Sequence, residues 1–183
     1  ADRLSHVADT AGIRRAARDG TLGLLYYTQN ASPIQDDIGR LDVLYRMGVR
    51  IVQLTYNTRN LLGDGHLERT DAGLSRFGIQ AVERMNELGI LVDVSHCGET
   101  TSLEGISFSQ RPVGITHAGC AAVYEHPRNK SDRVLRAMAE RNPERLLPAH
   151  GLPIGGADRV VGVLTETAEA LEYLVEATLK LMN

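Results

Sequence analysis

Ile90-Leu91-Val92-Asp93-Val94-Ser95-His96 and Pro112-Val113-Gly114-Ile115-Thr116-His117 decide how this chain folds. Each is a short apolar run, rich in β-branched residues, that ends on a histidine. The two histidines lie 21 residues apart, about one strand–helix repeat. Thr100 to Ser109 between them reads as a helix. Upstream, Arg50 to Thr55 and Leu22 to Thr28 are further apolar runs suited to buried strands. Helical periodicity covers Asp36 to Met47, with Ile38, Leu41, Leu44 and Tyr45 on one face and Gly48 as the stop. It recurs over Arg76 to Leu88, closed by Gly89, and over Ser131 to Arg141, with Ser131 as N-cap. Continuous apolar strands separated by amphipathic helices predict an α/β fold with a parallel sheet covered on both faces. Periodicity does not separate a barrel from an open doubly wound sheet. No glycine-rich phosphate loop follows any strand, which argues against nucleotide binding.

The 183 residues suit one large domain or two small ones, and 43% hydrophobic with 23% charged residues supports a real core. A net charge of −3, no Trp and two Phe give no basic or stacking surface, so no nucleic-acid partner is expected. No apolar stretch is long enough to span a bilayer, and no membrane partner is expected. Two cysteines, Cys97 and Cys120, make no disulfide framework and lead to the expectation of a cytoplasmic protein with reduced thiols. Opening on Ala1 suggests a sequence that begins inside a longer protein.

If the two histidine strands are adjacent, His96 and His117 stand side by side at the carboxyl edge of the sheet. Two neutral imidazoles there can hold a divalent metal such as zinc. A strand-end histidine bonded to backbone is the plainer reading of each one alone, and both readings stand. Asp93 is expected on the opposite face from His96, paired to a neighbouring helix, and His66 is expected in solvent. The loop YNTRNLLGDGHLERTDAGLS, residues 56–75, leaves a strand end and is too long to be a simple connection. Arg128, in His126-Pro127-Arg128-Asn129, either lies on the surface or clamps a substrate carboxylate.

Residues 12 to about 141 resemble the membrane (renal) dipeptidase family of metallopeptidases. The resemblance is carried by GRLDVLYRMGVRIVQLTYNTRNLLGDG, TDAGLSRFGIQAVERMNELGILVDVSHCG, RPVGITHAGC and HPRNKSDRVLRAMAE. It implies a (βα)8 TIM-type barrel that hydrolyses a small dipeptide substrate with two zinc ions, a metal-activated water attacking the peptide carbonyl. It also implies that His96 and His117 are metal ligands, that Arg128 receives the substrate carboxylate and that Asn129 accompanies it. Tyr56 falls at a substrate-binding histidine position, and Gln29 falls where the family carries a metal-bridging glutamate. A neutral amide brings no bridging charge, so one metal site is expected here. The family's first-strand His-x-Asp pair and its late Gly-x-Asp-Phe-Asp-Gly segment have no counterpart, so a partial barrel is expected over residues 1–142.

Residues 144–183 are similar to the C-terminal part of alkyl-sulfatase-type metallo-β-lactamase-fold hydrolases, in which the histidine at His150 is a metal ligand. They end in an amphipathic helix bearing Leu164, Leu171, Leu174, Val175, Leu179 and Met182 on one face. Asn142-Pro143 is the expected boundary. Three functional readings follow. The first is a zinc metallodipeptidase. The second is an inactive truncated barrel or fusion fragment that binds metal weakly or forms a homo-oligomer. The third is a sulfatase-like fragment.

Overall fold

Four parallel strands stand side by side in chain order: β3 (Tyr26–Thr28), β4 (Val49–Gln53), β5 (Leu91–Asp93) and β6 (Val113–Gly114). Their registers pair Thr28 with Val52, Gln53 with Asp93, and Asp93 with Gly114. The structure is a computed structural model that describes residues 4–141, together with the backbone of residues 145–146 and 154–155. A second parallel pair, β1 (Leu4–His6) with β2 (Leu22–Leu24), flanks α1 (Thr10–Arg18). The remaining helices are α2 (Arg40–Arg46), α3 (Arg76–Leu88), α4 (Glu99–Phe108) and α5 (Asp132–Glu140). A short antiparallel pair, β7 (Arg145–Leu146) with β8 (Ile154–Gly155), follows. The fold is α/β with parallel strands. The 142/143 boundary, His150 and the C-terminal amphipathic helix lie outside the described residues.

Caps fix the helix ends. Ser75 accepts from the Gly78 amide at the start of α3, and Gly89 at φ 75° ends it. Ser131 does the same for α5 through the Val134 amide. The core packs Val52, Leu54, Val92 and Val94 of the sheet against Leu41, Val82 and Met85 of α2 and α3.

Three details depart from the sequence reading. The run Leu22 to Thr28 is not one buried strand but breaks at Leu25 into β2 and β3, which pair with different partners. Its first half is open, with Leu22 at 62% exposure, because among the described residues the covering layer there is the short, arginine-rich α1. The helix expected from Asp36 begins only at Arg40, because the Asp37 carboxylate accepts from the Gly39 amide at 2.8 Å and holds a turn there. The unit β1–α1, residues 4–18, was not anticipated at all.

Candidate metal centre

β5 and β6 end level with each other, and the chain beyond each carries one histidine. The His96 and His117 Nε2 atoms face each other at 3.1 Å. Gln29, just past β3, points its amide at both, 3.0 Å from His117 Nε2 and 3.5 Å from His96 Nε2. Tyr56, just past β4, stacks on the His96 ring at a centroid separation of 4.4 Å. Four adjacent parallel strands therefore each deliver one side chain to the same carboxyl edge.

The outer side of each imidazole shows which nitrogen carries the proton. His96 Nδ1 donates to Asn57 Oδ1 at 2.6 Å. His117 Nδ1 lies 2.7 Å from the Thr116 hydroxyl, and that hydroxyl donates its own proton to Asp93 at 2.7 Å. Thr116 therefore accepts from His117 Nδ1. Both Nε2 atoms are left as lone pairs aimed inward, the tautomer that a metal ligand needs. Burial first, and then the positive charge of Arg128, push the His96 pKa down to about 4, so this ring is neutral at pH 7.

Two inward lone pairs 3.1 Å apart repel unless a proton donor or a cation lies against them. The Gln29 amide hydrogens supply a partial answer, and a metal a fuller one. Tetrahedral zinc with Zn–N bonds near 2.0–2.1 Å separates its ligand atoms by about 3.3 Å, and the observed spacing is close to that. Turning the Gln29 amide over would present its oxygen to the same point. The donors thus fit one divalent cation. Among the described residues no group of three or more His, Cys, Asp or Glu side chains converges to hold a metal, so the two imidazoles and the Gln29 amide are the donors this edge offers.

Other expectations are corrected here. Asp93 is fully buried, but among the described residues it pairs with no helix. It accepts from the Tyr27 hydroxyl at 3.1 Å, the Thr116 hydroxyl and the Ser95 amide at 2.9 Å. Burial first, and then Asp93, push the Tyr27 phenol pKa up, so the phenol stays a donor. His66 is not free in solvent. It is partly buried 5.6 Å from the His96 ring, and its amide and Nδ1 both reach the His96 carbonyl, at 3.0 and 3.1 Å. Arg128 is half-buried and near enough to act electrostatically on His96 and His66. The Asn129 amide accepts from the Gly119 amide and donates to the Tyr124 carbonyl at 2.8 Å. Cys97 is buried beside Thr55, its thiol pushed toward the neutral form by desolvation, and Cys120 is a second free thiol. Sequence reasoning missed Asn57, Thr116 and Lys130. The first two sit directly beside site residues Tyr56 and His117, which was their one available signal.

Parallel strands thus bring two imidazoles together at their carboxyl ends, the edge where α/β folds form their sites. The sequence matches the membrane dipeptidase family (peptidase family M19) over residues 1–176, and the chain belongs to that family. The match runs past residue 142 and over most of residues 144–183, the segment for which a likeness to alkyl-sulfatase-type enzymes was expected; that likeness is not shown. The dipeptidase verJ of Clonostachys rogersoniana is 36% identical over 136 residues, which are 73% of this chain and 35% of that protein. An amidohydrolase from Pseudomonas aeruginosa superimposes with a TM-score of 0.73 at 47% identity, over 75% of this chain and 42% of its own. A metallopeptidase from Rhodobacter sphaeroides, liganded with a phosphinate mimic of the dipeptide L-Ala-D-Ala, gives 0.71 at 25% identity, over 75% and 41%. The chain thus spans about a third of the curated relative's length. Among the described residues no helix is long and apolar enough to cross a membrane.

Proposed function

We propose that this chain is a metal-dependent, dipeptidase-type hydrolase in which His96 and His117 hold a divalent metal, zinc by family habit. One observation carries the reading: both imidazoles are tethered through Nδ1 so that their Nε2 lone pairs meet at 3.1 Å. When bound, the metal polarises a peptide carbonyl and acidifies water. In this reading Gln29 orients the imidazoles, and Arg128 receives the carboxylate of a small dipeptide. Tyr56, 41% exposed over the His96 ring, donates a hydrogen bond to it. Dipeptide specificity is supported by the likeness to the Clonostachys rogersoniana dipeptidase and by the dipeptide mimic bound to the Rhodobacter sphaeroides enzyme. Five parallel strand positions in chain order support an arc of a TIM-type barrel, taking β2 and β3 as one kinked strand. The two free thiols support a cytoplasmic setting.

The test is zinc content together with dipeptide hydrolysis by the purified chain. Stoichiometric zinc that is lost in His117→Ala, with hydrolysis lost alongside it, is the expected result. A zinc-free protein, or activity indifferent to His117→Ala, would sink the reading.

A second reading is favoured by the neutral donor set and the open face of β2: a weak one-metal binder that self-associates and does not turn over. Zinc binding without hydrolysis of any dipeptide would select it.

A further inference from the structure

Lys130 is a buried cation that the site described above does not use. It is 3% exposed, yet no carboxylate among the described residues lies within ion-pair distance of its ammonium. The ammonium donates instead to the Cys97 carbonyl at 2.9 Å and to the Ser102 hydroxyl at 2.8 Å. Ser102 passes its own proton to the Gly98 carbonyl at 2.7 Å. Desolvation pulls the Lys130 pKa down from the ordinary lysine value. Holding an ammonium out of water against neutral acceptors is costly, so the geometry it enforces is well determined.

What it grips is the turn that presents His96. His96 has φ 59°, a left-handed conformation that a residue with a Cβ keeps only when its surroundings impose it. Two consecutive carbonyls of this turn are held, His96 by the amide and ring of His66, and Cys97 by Lys130. The other end of Lys130 is equally committed. Its amide donates to the Gly119 carbonyl at 2.9 Å, and its own carbonyl accepts from the Ala121 amide at 2.9 Å, closing the loop that carries Arg128.

We propose that Lys130 is a positioning residue that locks the Arg128 loop to the His96 turn, so that the carboxylate clamp and the metal-binding imidazole are set as one unit. The proposal deepens the dipeptidase reading, but its main test needs neither metal nor activity.

Amide hydrogen exchange is measured on the metal-free full chain for wild type, Lys130→Met and Lys130→Arg. Lys130→Met is expected to speed exchange several-fold in both residues 95–102 and residues 117–131. Protection in α3 and the thermal midpoint should stay near wild type, and Lys130→Arg should restore part of the protection. Cobalt(II) affinity should fall about tenfold in Lys130→Met, as for other groups that orient a ligand. Exchange that rises in only one segment, in neither, or equally throughout α3 overturns the proposal. Should Lys130→Met fail to fold, Ser102→Ala removes one acceptor and is judged on the same two segments. If wild type binds no cobalt, the metal reading falls while the exchange result still decides the coupling.

Discussion

At His117 the decisive group is the Thr116 hydroxyl, not the ring itself. It donates to Asp93, which leaves it only a lone pair to offer His117 Nδ1, and that single fact assigns the tautomer. Thr116→Val removes the acceptor while keeping the side-chain shape. It is expected to weaken zinc binding about 10- to 100-fold, whereas Thr116→Ser stays near wild type. Competition titration against a chelating dye reads the affinity. In the metal-free protein, the ¹⁵N shifts of the His117 ring should show its proton redistributing between the two nitrogens in the valine variant only. Unchanged affinity and shifts would remove Thr116 from the site. Sequence made the histidines legible because strand ends recur at a countable interval. It could not reveal Thr116, Asn57 or His66, because their roles depend on where a hydroxyl proton or a left-handed turn points, and no residue spacing encodes that.

The element that most shapes the site's surroundings is the long loop 56–75. Its length alone marked it as unusual, and the structure shows what its residues are for. Asp71 supplies the cap that α4 lacks, accepting from the Thr100 amide at 2.5 Å and from the Thr101 hydroxyl at 3.1 Å. Glu104 of α4 reaches back to the Leu74 amide at 2.6 Å. Asp64 is buried at the loop's centre, pairs with Arg59 and accepts from the Ala72 amide at 2.7 Å. The Arg59 guanidinium is the main cause that holds the Asp64 carboxyl below the ordinary carboxylate range. A carboxylate with a depressed folded pKa stabilises the fold above its unfolded pKa, about 4, and that contribution is lost as pH falls through the lower folded value. Acid unfolding followed by circular dichroism should therefore steepen below about pH 4. Asp64→Asn should lower stability at pH 7 and flatten that acid limb. An Asn variant with an unchanged acid limb would exclude Asp64 as its source.

The same loop explains a glycine inside a helix. A Cβ at Gly78 would run into the Leu62 carbonyl, so α3 can lie against the loop only with glycine at that position. Gly78→Ala should cost about 1–3 kcal/mol by denaturant unfolding despite alanine's better helix propensity. A gain in stability would mean that the loop yields freely. The extents of α3 and α5 were legible within a residue or two, because caps and a 3.6-residue period mark them, and α4 was placed as closely by its position between two strands. The limits of α2 were not, since an Asp37 side-chain turn outcompetes the first helical turn.

Over the whole molecule, apolar surface is distributed unevenly. The sheet β3–β6 is backed by α2, α3 and α4, but the pair β1–β2 presents Leu4 at 56%, Leu22 at 62% and Leu24 at 40% exposure. Contiguous exposed leucines on a strand pair are a surface that water disfavours and that another apolar surface can cover. The sequence could not show this, because Leu22 to Thr28 has the composition of a core strand, and among the described residues only α1 lies over it. With nothing else in solution, the partner at hand is a second copy of the chain. Sedimentation velocity should then show association that grows with protein concentration and persists at high salt, since apolar contact is not screened as charge contact is. Leu4→Lys combined with Leu22→Lys places two like charges at directly paired positions, Leu4 opposite Leu22, and should shift the chain toward monomer. The candidate metal-site residues lie at the other strands' carboxyl edge, so zinc content should not change in that double variant. A wild-type chain that stays monomeric across the concentration range would show that this face is tolerated in water, and association that survives both lysines would place the contact elsewhere.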